Sequence, residues 1–270
     1  MPAKINHIAI LSERYAVAAR FYQAVFGLQP PTQDRVVNAI TVGDGYVGIN
    51  INPRKPGRPA RLDHFGIEVD DAQETMAKMK ERYPAVQVLK RPSNRPFAGL
   101  TTHDPDGNVF DLSQKSMTNR AAIYLDSEKG WEQPRTLSHF AIRTLNPEKM
   151  AEFYVDIFGF ALANRKPADE RWVLCDGRMN LVLIPWRITD YDGTGIVSAG
   201  PDHIGFKVES IEALKADIAL VTSGNPDLEP CNLGRSAETQ ARGAMLAAAG
   251  RGAFQMSDND NILIDVSERS

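Results

Sequence analysis

The 270-residue chain is 43% hydrophobic and 24% charged, and its 31 basic and 34 acidic side chains leave a formal net charge of −3. That is room for two ordinary domains or one large one, and the mildly acidic balance gives no electrostatic case for nucleic acid or an anionic membrane surface. No apolar run is long enough to span a bilayer, MPAKINH lacks the hydrophobic core of a signal peptide, and Cys175 and Cys231, without CxxC spacing, make no disulfide framework. A reduced cytoplasm is the expected location.

In chain order, NHIAIL (6–11) reads as a strand. Val17, Phe21 and Val25 then recur on one helical face, Gly27 supplies the stop, and VGINI (47–51) is a strand candidate. A second unit opens with DHFGIEV (63–69). It continues with a helical stripe of Ala72, Met76, Met79 and Tyr83 before Pro84, and closes with NVFDLS (108–113). The polar, weakly periodic stretch KSMTNRAAIYLDSEKGWEQPR reads as a linker. Beyond it, SHFAIR (138–143) precedes a helix with Asn146 as N-cap, Pro147 in the first turn and Gly159 at the end, then NLVLI (180–184). The fourth unit has DHIGFKV (202–208), a helix over Ile211, Leu214 and Ile218 started by Ser210, and NILIDVS (261–267). An Ala/Gly/Arg-rich insertion, RSAETQARGAMLAAAGRG (235–252), stretches this unit, either as a lid over a site or as a solvated excursion.

Each unit therefore reads as strand, helix, then about three strands, an α+β pattern repeated over 1–52, 61–115, 136–186 and 201–270. The repeat is visible in the letters. His7 and His139 are each followed fourteen residues later by FY and then by FG, 132 residues apart.

Strand alternation gives these histidines a common direction. In DHFGIEV the apolar Phe65, Ile67 and Val69 oppose His64, Gly66 and Glu68. In DHIGFKV, Ile204, Phe206 and Val208 oppose His203, Gly205 and Lys207. His139, Ala141 and Arg143 share one side of SHFAIR, and His7, Ala9 and Leu11 one side of NHIAIL. Each histidine has Gly or Ala two residues later, which leaves open volume beside the imidazole. By the same alternation Asp111 in NVFDLS and Asp265 in NILIDVS turn away from the apolar side. An unpaired carboxylate there is costly, so each needs a partner. A lone strand histidine is ordinarily a hydrogen-bonded structural residue. Four of the five histidines in one equivalent position, with Asp on the closing strand of both halves, point instead to sites of two imidazoles and one carboxylate for a divalent metal.

With its strand histidines, FYQAVFGL, FYVDIFGF and DPDGNVFDL (104–112), the chain resembles the vicinal oxygen chelate superfamily, which includes glyoxalase I, extradiol ring-cleaving dioxygenases and bleomycin resistance proteins. The resemblance covers nearly the whole chain. It implies four βαβββ modules paired into two domains, 1–115 and 136–270, joined by a linker over 116–135. It further implies one metal on His7, His64 and Asp111 and a second on His139, His203 and Asp265, although the family more often places Glu at the closing position. Glyoxalase-type members commonly add a fourth protein ligand on the last strand of the first module, where this chain has Asn50, and only Leu and Val in NLVLI. Three ligands per site resemble the ring-cleaving dioxygenases more closely. Those enzymes add a His before the second ligand His, and a His and Tyr before the carboxylate; SAGPDH and RGAFQMSDNDN have neither.

A non-haem iron(II) dioxygenase acting on a small substrate chelated through neighbouring oxygens is accordingly the leading expectation, with Mn, Co, Ni or Zn as other metals the site suits. The alternative is a redox-neutral glyoxalase-like lyase, isomerase or epimerase working through a metal-stabilised enediolate, and a second alternative is a non-catalytic, resistance-type binding protein. Glu68, His103 and Tyr191 are the candidate acid–base residues, although Glu68 also reads as a rim residue and His103 as a turn histidine. Asn50, Arg143 and Lys207 are candidate substrate contacts. The expected partner is a small molecule, not nucleic acid or membrane, and a homo-oligomer is compatible with the sequence.

Overall fold

The computed structural model describes residues 3–30, 39–91, 99–115, 132–192 and 196–269; the expected linker lies outside them apart from 132–135. The first unit comprises β1 (Lys4–Ser12), α1 (Tyr15–Phe26), β2 (Ile40–Gly43) and β3 (Gly48–Pro53), and the second β4 (Arg61–Val69), α2 (Ala72–Arg82), β5 (Leu89–Lys90), β6 (Leu100–His103) and β7 (Val109–Gln114). The third holds β8 (Thr136–Thr144), α3 (Pro147–Phe158), β9 (Ala161–Leu162), β10 (Trp172–Cys175) and β11 (Asn180–Pro185). The fourth holds β12 (Gly200–Val208), α4 (Ile211–Gly224), α5 (Ala237–Ala249), β13 (Phe254–Ser257) and β14 (Leu263–Glu268).

The helix boundaries follow local chemistry. Gly27 and Gly159 end α1 and α3 in the left-handed conformation, at φ 67° and 68°, where glycine meets no Cβ penalty. Asp71, Asn146 and Ser210 accept backbone N–H bonds at the starts of α2, α3 and α4. The insertion of the fourth unit contains a capped helix, α5, started by a Ser236–Thr239 capping box.

Two seven-stranded sheets result, ordered β2-β3-β1-β4-β7-β6-β5 and β13-β14-β12-β8-β11-β10-β9. Each joins two units through an antiparallel central pair, β1–β4 or β8–β12, flanked by parallel neighbours. The second and third units carry the expected three strands after the helix. Among the described residues the first and fourth carry two; in the first, Gln29 adds only a bridge to Gly43, and in the fourth α5 occupies the chain between helix and hairpin.

The helix-facing side chains of both sheets merge into one apolar core, including Ile8, Phe65, Phe110, Phe140, Ile204 and Phe206. Phe26 stacks on Phe206 across the halves with centroids 3.9 Å apart, and Phe65 meets Phe140 at 5.0 Å. Reciprocal polar bonds accompany this packing. Ile5 N donates to Asp176 Oδ2 (2.8 Å) and Leu137 N to Asp44 Oδ2 (3.0 Å). Tyr22 donates to Asp258 Oδ2 (2.8 Å), and Tyr154 to Asp104 Oδ2 (3.1 Å). The DPDGN and DNDNI turns thus reach across to the other half: Ser12 also bonds Asp260, and Thr144 bonds Asp106.

Candidate metal centres

The histidines face away from this shared core, and the ladder explains the small residue that follows each. His7 pairs with Gly66 and Ala9 with His64; His139 pairs with Gly205 and Ala141 with His203. The glycine or alanine makes room for the imidazole of the opposite strand. A Cβ on Gly66 would stand 2.0 Å from His7 Cε1, and one on Gly205 2.0 Å from His139 Cε1. The paired rings meet edge to face, with centroids 5.7 Å apart in the first domain and 5.1 Å in the second.

Each central strand also skips one residue in the pairing: Asn6, Asp63, Ser138 and Asp202. Such a bulge adds an unpaired residue and re-aims its side chain. All four precede a histidine, and all four engage its Nδ1: Asn6 Oδ1 at 2.8 Å, Asp63 Oδ2 at 2.9 Å, Ser138 Oγ at 3.1 Å and Asp202 Oδ2 at 2.7 Å. A partner on Nδ1 fixes the ring and leaves Nε2 for a metal. Strict alternation misses these partners because it sends residue i−1 to the opposite face. The dipeptides NH, DH, SH and DH were the available signal.

The parallel ladders add the carboxylates, setting Asp111 beside Gly66 and Asp265 beside Gly205. Two groups of three ligand atoms result, His7–His64–Asp111 and His139–His203–Asp265, each with its atoms within 4.8 Å of one another.

The two sites differ in what occupies the carboxylate. In the first, Asp111 Oδ2 lies 3.2 Å from His64 Nε2 and 3.8 Å from His7 Nε2, while Oδ1 accepts from Thr101 Oγ1 at 2.5 Å. Burial pulls the His64 pKa down, but its bonds to Asp111 and Asp63 outweigh this and push it up to about 9. Burial works against ionisation of Asp111 and Asp63 too; the same imidazole holds Asp111 below the usual carboxylate range and, with Arg61, Asp63 at about 2. The His64 side chain keeps 12% exposure, the largest opening among the six.

In the second site the chain closes on its own carboxylate. Asp265 Oδ2 accepts from Arg251 N (2.7 Å) and Gly252 N (2.9 Å), and Oδ1 from Gln255 Nε2 (2.9 Å). A Cβ on Gly250 would stand 2.6 Å from Asp265 Oδ1, so the segment after α5 is laid directly on the ligand group. The two Nε2 atoms share a hydrogen at 3.1 Å, and burial, followed by the proximity of His203, drives the His139 pKa well below normal. Ala249 of α5 packs on Ala141, Val182 and Ile184 of the same sheet face, which makes the insertion a cover over this site. The donor sets of both sites fit a divalent metal; in the second, Asp265 Oδ2 lies 3.6 Å from His139 Nε2, and three N–H groups of the chain compete for the carboxylate's lone pairs.

The remaining candidates scatter. Glu68 is buried (5% exposed) four residues after His64 on β4. His103 ends β6, where Nδ1 bonds Asp104 O (2.7 Å) and Nε2 accepts from Gln87 N (3.1 Å), so the backbone engages both nitrogens. Tyr191 is 54% exposed. The residue opposite His7 on β3 is Gly48; Asn50 lies opposite Ala9 and accepts from Thr41 Oγ1 at 2.6 Å. In the second domain the position opposite His139 belongs to Asn180, not to a Leu or Val of its strand, and Asn180 Nδ2 donates to Ser138 O. Arg143 bonds Asp202 and Asp190, and Lys207 is exposed on the wall of an 820 Å³ cavity with Arg178 and Arg269. Thr101 and Gln255, which position the two carboxylates, escape sequence reading because they sit on separate hairpin strands. Among the described residues no helix is long and apolar enough to cross a membrane.

Comparison with known proteins places this architecture. No curated protein matches the sequence. The Mn(II)-bound glyoxalase from Novosphingobium aromaticivorans superposes with a TM-score of 0.65 at 14% identity, over 98% of this chain and 81% of that one. The 2,3-dioxygenase LapB from Pseudomonas sp. KL28 gives 0.61 at 15% identity over 99% and 92%, and a variant of homoprotocatechuate 2,3-dioxygenase from B. fuscum 0.62 at 14% over 97% and 70%. At these identities the likeness is one of fold. The family model described as Glyoxalase/Bleomycin resistance protein/Dioxygenase superfamily matches residues 4–112 and 136–229, most of both domains. The chain belongs to that superfamily.

Proposed function

We propose that the protein is a metal-dependent dioxygenase whose working centre lies in the first domain, on His7, His64 and Asp111, with iron(II) as the metal. The observation that carries this reading is the donor arrangement: two imidazole nitrogens directed at one carboxylate oxygen, at 3.2 and 3.8 Å, in a group with no fourth His, Cys, Asp or Glu among the described residues. Such a set leaves coordination positions for two neighbouring substrate oxygens and for dioxygen. When bound, the metal supplies electron transfer and charge neutralisation for the chelated substrate.

The chain's own residues prepare that chemistry. Asn6 and Asp63 hold the rings by Nδ1, Thr101 holds the carboxylate by its second oxygen, and the Gly66 gap keeps the His7 ring seated. Glu68, buried on the strand that carries His64, is the candidate for moving a substrate proton in the second reading, a redox-neutral isomerase or lyase. A manganese-bound glyoxalase among the fold relatives keeps that reading in play. The substrate in either case is a small molecule with vicinal oxygens.

The test is an anaerobically iron-loaded preparation offered a panel of catechols, followed by oxygen uptake and the absorbance of ring-cleaved product. Uptake stoichiometric with product, abolished in His64→Ala, supports the dioxygenase. Turnover of hemithioacetals or epimerisable acids without oxygen uptake replaces it with the second reading.

A further inference from the structure

Beyond the metal centre, the second domain holds a buried cluster of two arginines and the acids that pair with them, which the function above does not use. Arg143 Nε (2.8 Å) and Arg242 Nη2 (2.6 Å) both donate to one oxygen, Asp202 Oδ1, whose partner Oδ2 holds His203 Nδ1. The Arg143 side chain is 4% exposed and that of Asp202 1%. Each guanidinium keeps one buried nitrogen, Arg143 Nη2 and Arg242 Nη1, with no hydrogen-bond partner among the described residues. Two arginines share a carboxylate that already serves a histidine, and a second acid, Asp190, meets Arg143 Nη1 at 3.3 Å. A native protein rarely leaves guanidinium N–H groups buried without an acceptor unless something else completes them.

What completes them is indicated by the surroundings. Arg143 lines a cleft of about 490 Å³ in which apolar side chains such as Ile184 and Met245 alternate with charged ones of both signs, among them Lys166, Arg171 and Glu170. That volume falls in the range of small-molecule sites. Two guanidiniums meeting at one atom present planar N–H donors suited to the two oxygens of a carboxylate. We propose that this cleft is a binding site for a small carboxylic acid with an apolar body, its carboxylate clamped by Arg143 and Arg242 and its body lying against α5 and the end of β11. Arg242 rides on α5, in which only Leu246 and Ala249 are buried, so this lightly anchored helix is the wall that yields when the acid enters. The site is separate from the first-domain metal centre and does not depend on it.

The test uses the full chain with benzoate, its neutral analogue benzamide, and inorganic phosphate, read by calorimetry and by thermal shift. Benzoate is expected to bind and raise Tm while benzamide does not. Arg143→Met and Arg242→Met are each expected to weaken benzoate about tenfold or more, the scale of losing a charge-assisted pair. Arg242→Met changes a partly exposed helix residue, so it keeps the test open if Arg143→Met does not fold. No benzoate binding at millimolar concentration, equal binding of benzamide, or unchanged affinity in Arg242→Met overturns the proposal. Tighter binding of phosphate than of benzoate overturns the carboxylate assignment.

Discussion

Tyr22 of the first domain donates its hydroxyl to Asp258 of the second at 2.8 Å, inside a contact where both side chains are fully buried. The carboxyl also accepts from the amides of Asp260 and Ile262. Burial is the dominant influence and outweighs these three donors, raising the Asp258 pKa to about 7.

This position predicts an unusual pH dependence. Asp258 has a folded pKa above its unfolded value, near 4. Its contribution to stability is therefore full below about pH 4 and is lost as pH rises toward about 7, amounting to roughly 3–4 kcal/mol. Denaturant melts from pH 4 to 8 should show that loss, and Asp258→Asn should flatten the profile over the window. A profile equally steep in the variant contradicts the assignment. Tyr22→Phe should cost about 1–2 kcal/mol by leaving a buried acceptor short of a donor.

A second prediction concerns protons at the metal centre. In the absence of metal His64 keeps its proton up to about pH 9, held by Asp111 and Asp63 against the pull of burial. Metal must displace that proton, so affinity should rise with pH by about tenfold per unit below 9. Calorimetry at pH 7 in two buffers of different ionisation enthalpy should register about one proton released per metal bound. No release would mean that His64 is not a ligand.

The glycines opposite the histidines separate structure from binding. Gly66→Ala should drive the His7 ring from its seat, costing about 1–3 kcal/mol of stability through overpacking and lowering metal affinity as well. Gly205→Ala should cost similar stability by crowding His139 yet leave metal content unchanged. Equal loss of metal in both variants would show that both domains bind it.

Much of the fold and the grouping of the two His/His/Asp sets was legible in the sequence, for definite reasons. Period-two alternation and the fourfold strand–helix–strand repeat identify His7, His64, His139 and His203 as one position, and Asp111 and Asp265 as another, without any contact being known. The bulges at Asn6, Asp63, Ser138 and Asp202 were not legible, since alternation assumes an unbroken ladder. Nor was the inequality of the two triads. It arises where the peptide after α5 meets Asp265, and the register of an insertion is set by packing, not by its own periodicity. The turn DPDGN was legible as part of the family-like DPDGNVFDL, but the partners of the acidic turns DPDGN and DNDNI, Tyr154 and Tyr22, lie in the opposite domain.

Metal stoichiometry is the most direct measurement of the central claim. Protein purified without oxygen and loaded with iron(II) should hold one metal per chain, lost in His64→Ala and in Asp111→Ala and retained in His203→Ala. Two metals per chain, or one that His203→Ala removes and His64→Ala does not, would contradict the assignment of the working centre to the first domain.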